Sequence, residues 1–100
     1  MFNSDGIYDL YGLCILNYNY LLVGTNETND NGNINGSIIL FDLNTEKAIK
    51  KIRAHTGKVK YIKFINTNNG NILVSGGLYS DIIFWENKGL EFNIKDRINN

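Results

Sequence analysis

Two stretches of this 100-residue chain are nearly the same phrase. SIILFDL at 37–43 and DIIFWEN at 81–87 each run polar residue, two isoleucines, apolar residue, aromatic, acid. Phe41 and Trp85 are the equivalent aromatics, 44 residues apart, and the runs ahead of them match as well, YLLVG at 20–24 against ILVSG at 72–76. Self-similarity at a fixed period constrains a chain strongly. It implies one supersecondary unit built twice, which cannot bury its apolar face alone and must stack on its neighbour. Val23 to Phe41 is 18 steps while Ser75 to Trp85 is 10, so the first copy carries eight extra residues.

No stretch has sustained helical periodicity. The apolar residues fall in short runs at 7–16, 20–24, 37–43, 47–54, 59–65, 72–76, 81–86 and 90–96, separated by Asn, Gly, Asp and Thr. Short apolar runs between residues that tolerate turn geometry predict eight strands and an all-β chain. Four strands per repeat, at a period of about 44, is the period of a propeller blade. We therefore expect two antiparallel four-stranded blades, 7–53 and 58–96, in an incomplete β-propeller. Every connection is short except the Asn-rich stretch 25–36, expected as a loop between the second and third strands of the first blade.

The remaining bulk properties exclude more than they assign. The formal net charge is zero and 43% of residues are hydrophobic, a globular composition with no broad field for nucleic acid or an anionic membrane. Cys14 is the single cysteine, which rules out an internal disulfide and fits an intracellular chain, cytoplasmic or nuclear. It lies in the apolar run LCIL and reads as a small core residue. No apolar run approaches the ~20 residues that span a bilayer, and the first residues have no basic or apolar leader pattern. The triplets at Asn26 and Asn35 match glycosylation sequons, which arise by chance in so Asn-rich a chain.

NGNINGSIILFD, 31–42, has the oxygen spacing of a calcium loop. The candidate ligands Asn31, Asn33 and Asn35 are neutral, however, and Asp42 stands where a longer bidentate Glu is usual. The flanking runs are strand-like, and the counterpart 44 residues later has no such spacing. We expect a loop feeding a strand, and no metal or other cofactor.

In the second copy AHTGKVKYIKF is followed by ILVSGG and DIIFWE, with Ala54-His55 and Trp85-Glu86 30 residues apart. Over about residues 7–95 the chain resembles the WD40-repeat β-propellers, Ala54-His55 standing at the Gly-His position and Trp85-Glu86 at the Trp-Asp position. In the first copy Phe41-Asp42 is the WD-like pair and no GH-like dipeptide precedes it. The resemblance implies a buried hydrogen-bonded chain within the second blade through His55, Ser75 and Trp85. Its fourth member should be an Asp at the turn, where this sequence has Tyr79. Asp81 follows two residues later and joins only if the turn is reshaped, so the chain is expected to be incomplete.

The resemblance implies a non-catalytic protein-interaction scaffold whose partner docks on the top face, at Lys58, Lys60 and Leu78. Two blades cannot close a ring, so it also implies either further blades in a longer chain or self-association. The alternative is an RNA- or ribosome-associated propeller using Lys47, Lys50, Lys51, Arg53, Lys58, Lys60 and Lys63, though strand alternation also explains lysines on a solvent face. The 25–36 stretch falls on that top face and reads as a partner contact or, better, as filler without an apolar anchor. His55 is the only histidine and has no companion ligands or nucleophile in the sequence. There is no phosphate loop and no telling pair of acids, so the chain reads as no enzyme.

Overall fold

The computed structural model describes residues 9–17, 19–28, 32, 34–79 and 81–98. They form eight strands: β1 (Asp9–Asn17), β2 (Tyr20–Thr28), β3 (Ile34–Asp42), β4 (Lys47–His55), β5 (Val59–Thr67), β6 (Gly70–Gly77), β7 (Ile82–Lys88) and β8 (Glu91–Ile98). These make two antiparallel meanders, β1-β2-β3-β4 and β5-β6-β7-β8, each with the strand number and order of a propeller blade. Short polar turns explain the sequential pairing, since consecutive antiparallel strands need only a few residues between them. No helix is present among the described residues, and none is long and apolar enough to cross a membrane.

One expectation needs correcting. Most of 25–36 is not loop. β2 runs to Thr28 and β3 resumes at Ile34, with Glu27 opposite Asn35 and Thr28 opposite Ile34 in the same register as Leu22 opposite Leu40. The eight extra residues mostly lengthen a hairpin. The calcium-like stretch joins it: from Ile34 onward it is strand, and the Asp42 carboxylate accepts the Asn44 and Thr45 amide N–H groups (2.8 and 3.4 Å) at the β3–β4 turn. Asp42 is a turn residue.

Strand alternation sends neighbours to opposite faces, and here both faces are apolar. Leu22, Ile38 and Leu40 of the first sheet meet Ile62, Leu73, Ile83 and Trp85 of the second in one buried cluster. The inner strand β5 packs against β1 and β2. Val23, Ile39 and Phe41 lie on the other face of the first sheet and are at most 4% exposed. By the 44-residue equivalence, Ile38 and Leu40 correspond to Ile82 and Phe84, while Ile39 and Phe41 correspond to Ile83 and Trp85. One kind of face on the first sheet thus meets the other kind on the second, a head-to-tail seam. Each apolar side chain fully buried there contributes about 1.5–3 kcal/mol.

The second sheet leaves its own copy of the first kind of face open. Ile72, Val74, Ile82 and Phe84 are only half-buried, and Tyr61, Ile65 and Ile98 are 50%, 39% and 48% exposed. The outer strands are different in character: β4 and β8 are mostly exposed and rich in Lys, Arg, Glu and Asp, which blunts edges that would otherwise pair with other strands. Lys50 pins the seam from the rim, its Nζ donating to the Leu90 carbonyl (2.7 Å) and lying 3.5 Å from Glu91.

An open apolar face of this kind drives association. The purified 100-residue chain is expected to run larger than a monomer in light scattering coupled to size exclusion. Phe84→Lys, on the open face, should lower that mass, whereas Lys88→Gln, at the end of β7, should not change it.

Candidate functional site

A buried, hydrogen-bonded polar cluster lies under the seam. β4 ends on His55, β6 supplies Ser75, β7 supplies Trp85 and the β6–β7 turn supplies Asp81. Trp85 Nε1–H donates to Ser75 Oγ at 2.9 Å. Ser75 Oγ is 2.9 Å from His55 Nε2, and His55 Nδ1 bonds to the Asp81 carboxylate. Ser75, His55 and Trp85 are 0%, 3% and 2% exposed. With the Nδ1 proton directed at Asp81, Nε2 is left to accept the Ser75 hydroxyl proton, so every donor has an acceptor along the line. Such a run is stable only when complete, because each buried polar group left alone costs about 1–3 kcal/mol.

The expectation of an incomplete chain is therefore overturned. Tyr79 does not take the fourth position; it is 62% exposed. The turn closes instead with the Gly77 N–H donating to the Asp81 carbonyl (2.9 Å), which folds Asp81 back over His55. Gly77 is required by this approach: a Cβ there would lie 2.3 Å from Asp81 Oδ1 and 2.7 Å from His55 Nδ1.

The first sheet has a polar cluster of its own that sequence reasoning missed. Thr25 Oγ1 accepts the Ser37 N–H (3.0 Å) and donates to Glu27 Oε2 (2.9 Å), and Glu27 takes the Lys51 ammonium across two strands. Next to it Arg53 Nη2 donates to Asn35 Oδ1 at 2.6 Å. Burial alone would raise the Glu27 pKa, but bonds from Lys51, Ser37 and Thr25, with the Lys51 charge, more than offset it and the net shift is downward. The signal that could have found this cluster was alternation: Thr25, Glu27 and Asn35, Ser37 are spaced by two, as same-face strand residues are.

The two WD-like pairs behave differently. Phe41 and Trp85 are both buried, whereas Glu86 is exposed and lies 3.8 Å from Lys88, and Asp42 holds its turn. Lys58 and Leu78 are brought together, since the Leu78 N–H donates to the Lys58 carbonyl at 3.0 Å. Lys60 follows at the β5 bulge between Val59 and Tyr61, with an exposed side chain. Leu78 is 38% exposed, and Tyr79 stands beside it. The seven basic residues of 47–63 are not brought into one stripe. Lys47, Lys50, Lys51 and Arg53 lie on β4, the edge strand of the first sheet farthest from β1, while Lys60 and Lys63 lie on β5, which packs against β1. Lys50 and Lys51 are also bonded to Leu90 and Glu27.

Neither His55 nor Cys14 is equipped for chemistry. Both ring nitrogens of His55 are engaged inside the protein. Cys14 packs half-buried against the seam cluster, and burial, against a smaller effect of a Phe64 backbone bond, pushes its thiol pKa up, away from the reactive thiolate. Among the described residues no group of three or more His, Cys, Asp and Glu side chains could hold a metal.

Compared with known proteins, the chain is similar to the protein transport protein SEC31 of Kluyveromyces lactis, with 42% identity over 52 residues. That stretch is 52% of this chain and 4% of the relative, so the chain spans a small part of the curated protein it matches. No family model matches, and no solved structure does.

Ser75→Ala removes the bridge between His55 and Trp85 and strands two buried polar groups, so it should lower unfolding free energy in urea by about 2 kcal/mol or more, with Asp81→Asn costing less. The Glu27 cluster carries a pH signature. A carboxylate whose folded pKa is lowered stabilises above its ordinary value, and that stability is lost as pH falls through the folded value. Wild type should exceed Glu27→Gln in thermal midpoint near neutrality, and the gap should close on acidification below the ordinary carboxylate range.

Proposed function

We propose that this chain is part of a WD40-type β-propeller and acts as a non-catalytic scaffold for protein partners, docking them on the rim that carries Lys58, Lys60 and Leu78. One observation carries this reading: the head-to-tail seam, with its Asp81–His55–Ser75–Trp85 bonds, fixes the β4–β5 connection and the β6–β7 turn against each other. A rigid frame that holds exposed turn residues in place is what a docking platform requires. The buried cluster spends its polar groups on itself, which is a structural use and leaves no reactive set.

The open face of the second sheet supports a further sheet of the same kind packing there, as a continuation of the chain or as another copy. The relative is named for protein transport, which makes a transport assembly the first place to seek the partner. A location inside the cell follows from that reading and from the single, half-buried thiol.

The test is a photo-crosslinking residue placed at Leu78, with a second placed at Lys88 on the opposite end of the second sheet. In extract of the source cells the Leu78 probe should capture a discrete protein that the Lys88 probe does not. Equal capture at both positions, or none, would reject the docking rim.

A further inference from the structure

Arg53 and Arg97 are 44 residues apart, each closing a Lys-x-Arg triplet, 51–53 on β4 and 95–97 on β8. Both stand near the ends of outer strands, Arg53 opposite Ser37 and Arg97 opposite Ile83, and both line one cleft of about 460 Å³ at the seam between the sheets. Thr56, Tyr79 and Asp81 are also on its wall. The size falls within the range of sites that enclose a small ligand or a side chain.

Among the described residues lining this cleft the charges are two arginines against one carboxylate. Arg53 is oriented by the neutral Asn35 carbonyl oxygen, and among the described residues no carboxylate lies within salt-bridge distance of it. The Asp96 carboxylate beside Arg97 accepts the Arg97 backbone N–H (2.8 Å), and among the described residues neither guanidinium has an ion-pair partner. The one carboxylate in the wall, Asp81, is bonded to His55. Two guanidinium groups, a threonine and an exposed tyrosine beside them favour an anion, and guanidinium groups suit carboxylates by two-point bonding.

We infer that this cleft binds an acidic side chain, Asp or Glu, on an extended segment of a protein partner. Arg97 supplies the principal two-point contact, Arg53 the second charge, and the Tyr79 ring a surface for the neighbouring residue of the segment. A nucleic acid backbone fits less well, because it needs a stripe of cations and the lysines of 47–63 are divided between two strands of different sheets. The inference rests on the scaffold reading and names the partner's chemistry.

The test uses the full chain and a fluorescein-labelled deca-glutamate peptide in an anisotropy titration, with labelled oligouridylate of equal charge as the comparison. Arg97→Gln and Arg53→Gln should each weaken peptide binding by roughly tenfold, and Lys63→Gln, which removes an exposed charge elsewhere, by less than about twofold. Thermal midpoints of the three variants identify any that fail to fold, and Arg97→Lys, which keeps the charge but not the fork, should restore binding only in part. Equal losses in all three variants, full binding by Arg97→Lys, tighter binding of the RNA or no peptide binding would each overturn the proposal. Crosslinking from Leu78 does not depend on either arginine, so failure here with capture there removes the cleft and leaves the scaffold.

Discussion

Everything in this chain depends on a sheet that is apolar on both sides. An antiparallel meander in water normally buries one face and wets the other. Here Leu22, Ile38 and Leu40 point one way and Val23, Ile39 and Phe41 the other, and all are buried. Such a sheet has to be covered twice. Because the second sheet repeats the pattern, the economical arrangement is for one copy to cover the next. That packing sets where β5 lies, and β5 in turn sets where the β4–β5 connection and the β6–β7 turn meet. The polar cluster of His55, Ser75, Asp81 and Trp85 then works as a lock on an arrangement the apolar residues have already chosen.

The fold was largely legible in the residues themselves. All eight runs of apolar residues became strands, and the 44-residue echo between Phe41 and Trp85 placed both sheets. What escaped was register and turn geometry. The 25–36 stretch looks like loop because asparagine is a turn former, yet Thr25, Glu27, Asn35 and Ser37 alternate across a hairpin and form its bonds. Composition hid a period of two.

The candidate site shows the same limit. His55, Ser75 and Trp85 could be named from their order along the chain. Asp81 could not be assigned, because its place depends on the Gly77 N–H finding the Asp81 carbonyl, a backbone event with no signature in side-chain types. The approach of Lys58 to Leu78, 20 residues apart, likewise follows from the pairing of β5 with β6. The division of the lysines was legible by contrast, since the expected blades 7–53 and 58–96 already put β4 and β5 in different sheets.

The head-to-tail seam gives the chain a direction. Ile38 and Leu40 face forward toward the following unit, and Ile83 and Trp85 face back toward the preceding one. Neighbouring residues on a single strand therefore answer to different neighbours. A change at Trp85 is felt in the first sheet and a change at Phe84 on the open face, although the two side chains leave adjacent Cα atoms. Substitutions at the seam are therefore coupled across the two sheets, between residues such as Ile38 and Ile83 that lie about one repeat apart.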